Sequence, residues 1–160
     1  MNRHMASRTL TVACVAAVAL GIVSAAQAGT QKCSLASVAG TYGLTTTGSI
    51  PGIGPVAAVG VVTVEKSGNI SGSQTRSLNG AVGDETFTGT ATVNPDCTGT
   101  DVIQVFQDGV LVRTSTLNLV YDDNGRSARP IFTSIVLPNG AQLPSILTID
   151  ARRVFVRDGQ

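Results

Sequence analysis

Residues 87–107 read FTGTATVNPDCTGTDVIQVFQ, and their pattern indicates the fold class. Up to Val93, threonines at even positions alternate with apolar residues or glycine at odd positions, which is typical of a half-buried strand. Asn94-Pro95-Asp96 then interrupts the alternation with residues that favour a turn, and a second strand pattern follows over residues 98–107. The stretch therefore predicts two strands joined by a short turn.

The same alternation and turn chemistry recur along the rest of the chain, while helical periodicity is nearly absent. We expect strands at residues 40–48, 56–66, 70–78, 85–94, 98–107, 110–121, 129–137 and 145–157. Short links between them place neighbours in sequence next to each other in space. The sequence thus predicts an all-β protein, an antiparallel up-and-down β-barrel of about eight strands whose closure removes exposed edges, with a β-sandwich as the alternative.

Two details of these strands concern packing. The second predicted strand, residues 56–66, is apolar on both faces, so we expect it to be covered on both sides. Gly60 and Gly89 lie in strand interiors, where they predict bends or bulges that allow a small barrel to close.

The N-terminus has the layout of a secretory signal peptide. Arg3 and Arg8 precede an apolar run that ends near Ala26, and Ala26-Gln27-Ala28 suits a signal peptidase. The run is too short for a spanning helix, so we expect cleavage after Ala28 rather than a membrane anchor. The domains are then a signal peptide at residues 1–28 and a single secreted β-barrel domain at residues 29–160, in a secreted or periplasmic protein.

The composition that remains after the leader argues against several classes of partner. The leader carries the only His, both Met and two of the eleven Lys and Arg residues, but none of the ten Asp and Glu residues, so the remainder has a net charge of −1. Without a basic run, we expect no nucleic-acid binding. Six aromatic residues are too few for the girdles of a membrane barrel, so we expect no membrane insertion after signal cleavage.

Cys33 and Cys97 are the two cysteines left once Cys14 has departed with the leader. An even number of cysteines in an oxidising compartment predicts a disulfide between them. The alternatives are a reactive thiol or a metal pair, but two thiols without a histidine do not complete a tetrahedral site. We therefore predict no metal and no cofactor.

Arg113 is the most informative charged residue. It shares a strand face with Ser115 and Tyr121, and if that face is interior its guanidinium needs an acceptor. It is then either half of a structural ion pair, which we favour, or an anchor for an anionic ligand. The candidate ligand-binding residues are Arg113, Ser115, Tyr121 and, on the first strand, Tyr42. The carboxylates that could face inward with it are Glu65, Glu85, Asp101 and Asp150.

No residue is predicted to be catalytic, because the sequence has no Ser-His-Asp arrangement, phosphate loop or zinc pattern. Asp122-Asp123-Asn124-Gly125 resembles a fragment of a calcium loop, but it lacks the ligand spacing and is interpreted as a turn. Asp150 and Arg152 share a strand face and are expected to form a solvated pair.

Three stretches resemble a group of small secreted bacterial proteins without an assigned activity: VAGTYG at 38–43, GVVTVEKSGNISGS at 60–73 and FTGTATVNPDCTGT at 87–100. The resemblance implies a compact antiparallel barrel, similar in outline to lipocalin-type and allene-oxide-cyclase-type barrels. It carries no catalytic assignment, because shared fold does not imply shared function. The Trp of the Gly-x-Trp opening of lipocalins is absent, since Tyr42 stands in its place.

Three functional hypotheses follow. The first is a secreted, non-catalytic barrel that binds a small apolar or amphipathic ligand or an envelope component. The second is a structural or interaction module of the cell envelope that acts through the threonine-rich outer face. The third is a cyclase- or isomerase-type barrel enzyme, which requires a buried carboxylate or Tyr with a shifted pKa beside a cavity.

Overall fold

The structure, a computed structural model, describes residues 32–154. The predicted signal peptide at residues 1–28 lies outside the described residues, as do residues 155–157 of the last predicted strand. Within residues 32–154, no helix is long and apolar enough to cross a membrane.

The described chain is built almost entirely from β-strands. One helical turn, α1 (Leu35–Val38), precedes β1 (Gly40–Ile50), β2 (Gly54–Val64), β3 (Asn69–Leu78), β4 (Ala81–Val93), β5 (Thr98–Gln107), β6 (Val110–Asp122), β7 (Ser127–Val136) and β8 (Ile146–Arg153). A 3-10 turn, Asp123–Gly125, joins β6 to β7. Each predicted strand is present, because period-two alternation and turn chemistry are local signals.

The strands close into a barrel. Each strand pairs antiparallel with its neighbours in sequence, and β1 also pairs with β8. Tyr42 of β1, for example, lies opposite Val62 of β2 on one side and Arg153 of β8 on the other. The predicted eight-stranded up-and-down barrel is confirmed, and the β-sandwich is wrong, because the first and last strands pair and leave no sheet edge.

Side chains alternate between the interior of the barrel and its outer face. In β4, Phe87 and Ala91 are buried while Thr88 and Thr90 are exposed, as their alternation predicts. The buried apolar side chains form two clusters along the barrel axis. One surrounds Tyr42, Phe87 and Tyr121 next to α1, and the other consists of Ile50, Val56, Ile135 and Leu147 at the opposite end.

The Cys33–Cys97 disulfide and α1 cover the first of these ends. The disulfide is present as predicted, with the two Cα atoms 4.9 Å apart, and it joins the segment before α1 to the β4–β5 turn. Ser34 starts α1 by accepting a hydrogen bond from the Ser37 backbone N–H. We call this the closed end of the barrel.

Tyr42 holds the closed end together. Its hydroxyl lies 2.5 Å from the carbonyl oxygen of Val38 and 2.6 Å from that of Gly125, so its proton is shared between α1 and the β6–β7 turn. The Arg153 guanidinium donates to the Ala39 carbonyl oxygen at 2.8 Å and lies over the Tyr42 ring. The Asp122–Gly125 stretch forms the turn interpreted from the sequence: Asp122 ends β6, Asp123–Gly125 form the 3-10 turn, and the Gly125 carbonyl oxygen accepts the hydrogen bond from the Tyr42 hydroxyl.

The prediction that β2 is covered on both sides is wrong. Its inward residues Val56, Ala58 and Val64 are buried, but Val59 is 62% exposed and Val61 is 46% exposed on the outer face. In residues 32–154 the barrel is a single closed layer, and no second sheet packs on its outer face. Valine still suits these positions because β-branched side chains fit a pleated surface and much of any protein surface is apolar.

The inward glycines Gly60 and Gly89 mark close approach of strands rather than bulges. Strand pairing is continuous at both, and a Cβ at Gly60 would overlap the Ser73 carbonyl oxygen of β3. The two irregularities in register lie elsewhere: β6 has an extra residue, Val112, opposite Val105–Phe106 of β5, and β7 has an extra residue, Thr133, opposite Thr116–Leu117 of β6. These bulges were not predicted from the sequence, because neither stretch contains the glycine that often marks a bulge.

Candidate ligand-binding site

Four polar side chains meet inside the barrel, and we call them the ion cluster: Gln74 and Arg76 of β3, Glu85 of β4 and Arg113 of β6. The side chain of Glu85 is completely buried. Its Oε1 accepts hydrogen bonds from Arg76 Nε and Arg113 Nη1, each at 2.7 Å. Its Oε2 accepts from Arg113 Nη2 at 2.7 Å and from Gln74 Nε2 at 2.8 Å.

These contacts keep Glu85 ionised. Burial by itself raises the pKa of this carboxyl, but the bidentate pair with Arg113 and the hydrogen bonds from Gln74 and Arg76 outweigh burial and lower the pKa to about 2. Two guanidinium groups surround one carboxylate, so the ion cluster has one positive charge in excess. A buried charge of this kind is tolerated when it is fully hydrogen-bonded.

The end of the barrel opposite α1 is open to a cavity of about 200 Å³, which we call the mouth pocket. Its walls are almost entirely apolar and include Ile50, Val56, Leu78, Phe132, Leu143 and Leu147. Its floor is polar and consists of Gln74, Arg76 and Arg113 of the ion cluster, together with Thr46. Apolar walls around a few fixed polar groups are the usual composition of a small-molecule site.

A second, smaller cavity of about 60 Å³ lies deeper in the barrel, and we call it the inner chamber. It shares Gln74, Arg113 and Phe132 with the mouth pocket, and Asp101 of β5 lies in its wall. Within residues 32–154, Asp101 Oδ1 is buried and has no hydrogen-bond partner. Burial raises the pKa of this carboxyl to about 7, so a proton is held here over much of the acidic range.

The structure separates the four predicted ligand-binding residues into two groups. Arg113 lines both cavities, and its interior position and its ion pair with a carboxylate are as the sequence suggested. Ser115 is fully buried in the same interior, and its hydroxyl has no partner among the described residues. Tyr42 and Tyr121 instead lie at the closed end, where β1 begins and β6 ends.

Tyr121 and Tyr42 pack into the closed end and do not line the mouth pocket. Burial raises the pKa of Tyr121, and the Asp101 carboxylate and Tyr42 act in the same direction, so its phenol stays protonated. Its backbone N–H donates to the carbonyl oxygen of Cys97 at 2.8 Å. The two tyrosines therefore contribute packing and hydrogen bonds next to the disulfide.

Arg76 and Gln74 are the site residues that sequence reasoning missed. In β3 the outward positions are Ser71, Ser73, Thr75 and Ser77, a run of small hydroxyl residues. The opposite face therefore had to face the interior and carries Gln74 and Arg76, which is the signal that would have found them.

The other candidate charges lie outside the barrel. Glu65 is exposed and accepts hydrogen bonds from Ser67 and Asn69 in the β2–β3 turn. Asp150 and Arg152 form the expected solvated pair, with both side chains more than half exposed and 3.2 Å between Oδ1 and Nε. Such a pair contributes at most about 1 kcal/mol to stability.

The sequence matches no protein-family model, and no curated protein matches it. The functional conclusion therefore comes from the geometry of the barrel interior.

Proposed function

We propose that this protein is an exported, non-catalytic β-barrel that binds a small apolar or amphipathic ligand in its mouth pocket. One observation carries the proposal: an apolar-walled cavity opens at one end of the barrel and ends on a fixed polar floor at Arg76 and Arg113. Export is supported by the signal-like leader and by the Cys33–Cys97 disulfide, which persists in oxidising compartments.

The volume of the mouth pocket limits the ligand to a small molecule. A dry apolar cavity of roughly 150 Å³ is known to hold benzene, so about 200 Å³ accommodates around six to eight carbon atoms. Larger ligands would have to project from the open end. Ile53 sits at that rim in the β1–β2 turn and is 42% exposed, so it would contact the projecting part.

The enzyme hypothesis is less well supported, although Asp101 has the shifted pKa that it requires. The inner chamber beside Asp101 has a volume of about 60 Å³, which is room for about two water molecules rather than a substrate. A role for the threonine-rich outer face in envelope interactions stays a prediction.

The proposal is tested by titration with six-carbon probes, 1-hexanol and hexanoate, of the purified protein with its disulfide intact. We expect saturable NMR shifts of the methyl groups of Ile50, Val56 and Leu147, which line the mouth pocket. The outer methyl groups of Val59 and Val82, which are 62% and 71% exposed, serve as internal controls and should not shift. Shifts spread equally over both sets, or none at all, would overturn the proposal.

A further inference from the structure

Among the described residues, the positive charge at the floor of the mouth pocket is not balanced within the ion cluster. Glu85 is the single carboxylate in the ion cluster, while Arg76 and Arg113 are both cationic. None of the described residues that line the mouth pocket is acidic. The apolar walls keep the local dielectric constant low, so the excess positive charge interacts strongly with a charged group on a ligand in the pocket.

The hydrogen bonds of the ion cluster show that Arg76 carries the unbalanced positive charge. A carboxylate offers about four acceptor positions, and the four bonds from Gln74, Arg76 and Arg113 occupy those of Glu85. Arg113 uses both of its terminal nitrogens in this pair. Arg76 binds Glu85 only through Nε, and within residues 32–154 its Nη1 and Nη2 have no hydrogen-bond partner.

The position of Arg76 suits a ligand rather than solvent alone. Its side chain is 18% exposed and lines the mouth pocket between Leu78 and the rest of the ion cluster. A terminal guanidinium edge presents two parallel N–H donors, and this fork matches the two oxygens of a carboxylate. A monoanion also matches the single excess charge, whereas a dianion would overcompensate it.

We propose that the mouth pocket takes a small organic monoanion, a monocarboxylate with a short apolar chain, whose carboxylate binds Arg76 Nη1 and Nη2. The chain then lies against the apolar walls formed by Ile50, Leu78 and Leu147. This inference rests on the proposed function and adds the chemical class of the ligand. Arg76 is a binding residue in this arrangement, and Glu85 and Arg113 hold its guanidinium in place.

The experiment compares four probes of equal chain length at neutral pH: hexanoate, hexanamide, 1-hexanol and hexylammonium. The methyl shifts of the mouth pocket report the affinity of each. We expect hexanoate to bind about tenfold more tightly than hexanamide, because charge-assisted hydrogen bonds are roughly twice as strong as neutral ones, and hexylammonium to bind most weakly. Equal affinity for hexanoate and hexanamide would overturn the inference and leave the proposed function standing; no binding by any probe would overturn both.

Substitution of Arg76 tests whether this residue causes the preference for hexanoate over hexanamide. Arg76→Gln should bring the affinities for hexanoate and hexanamide to within about twofold, while Arg76→Lys, which keeps the charge but loses the fork, should retain an intermediate preference. Arg152→Gln is the matched control, since Arg152 is 79% exposed on the outer face, and it should behave as the wild type. A full preference for hexanoate in a folded Arg76→Gln or Arg76→Lys protein, judged by its thermal transition, would contradict the assignment to Arg76.

Discussion

Glu85 and Asp101 are two inward carboxylates on adjacent strands, and their pKa values shift in opposite directions because their hydrogen bonding differs. Burial disfavours the charged form of both. Four hydrogen bonds from the ion cluster reverse this for Glu85 and lower its pKa to about 2. Asp101 Oδ1 has no partner in the described part of the chain, and its pKa is raised to about 7.

The first prediction concerns the pH dependence caused by Asp101. Between about pH 4 and pH 7 the folded protein holds a proton on Asp101 that the unfolded chain releases, so stability falls as pH rises through this range and levels off above it. A shift of the Asp101 pKa from 3.8 to about 7 lowers the free energy of unfolding by at most about 4 kcal/mol across this pH range. Asp101→Asn should remove this loss and unfold at higher urea concentration than the wild type at pH 8.

Urea unfolding of both proteins at pH 5 and pH 8 checks this prediction. Asp150→Asn is a suitable control because Asp150 is an exposed acid of β8 paired with Arg152. It should show the pH dependence of the wild type. The idea fails if Asp101→Asn loses as much stability between the two pH values as the wild type does.

At the scale of the element, strand alternation was predictable and strand irregularity was not. In β6 the alternation placed Arg113 and Ser115 inward, and both are interior. The register shift opposite Val105–Phe106 lets the preceding residue, Val112, line the mouth pocket as well. Alternation alone assigns Val112 to the outer face, because a bulge changes which side chains share a face and depends on pairing with the neighbouring strand.

The second prediction concerns the close approach of β3 and β4. Gly72 and Phe87 are direct partners, and a Cβ at Gly72 would overlap the Phe87 ring and the Val61 carbonyl oxygen. We expect Gly72→Ala to destabilise the protein by about 1–3 kcal/mol, because a packed interior has no room for the methyl group. The free energy of unfolding in urea measures the effect.

Gly43→Ala is the matched control for this substitution. A Cβ at Gly43 of β1 would meet only the Val154 side chain, at the ordinary distance of 3.4 Å. The change should be neutral or stabilising by less than about 1 kcal/mol, since alanine restricts the unfolded chain. Equal losses for the two variants would show that overlap with Phe87 is not the cause.

On the scale of the whole molecule, the two ends of the barrel have different roles. Covalent and hydrogen-bonded contacts close one end through Cys33, Cys97 and Tyr42. The other end carries the mouth pocket, with the ion cluster between the two. Stability of the covered end and ligand binding at the open end should therefore be separable.

The third prediction tests this separation with the double variant Cys33→Ser/Cys97→Ser. The disulfide spans 64 residues of sequence, for which chain entropy predicts a loss of at most roughly 4 kcal/mol when it is removed. Amide exchange of Val38 and Ala39 should accelerate as α1 is released. Methyl shifts of the mouth pocket and the affinity for hexanoate should stay as in the wild type, and a large change in either would show that the ends are coupled.

The sequence by itself determined the eight strands, their inward and outward faces, the turns and the disulfide, because these follow from local periodicity, local turn chemistry and cysteine parity. Short links between successive strands favoured a barrel but left the β-sandwich open, and the pairing of β1 with β8 decided between them. Only the tertiary structure decided that Arg76, Glu85 and Arg113 meet and that β2 has an exposed outer face. The tertiary structure also decided which end of the barrel is open. These outcomes depend on which side chains meet across the closed barrel, where Arg113 of β6 reaches Glu85 of β4, and no local pattern encodes such contacts.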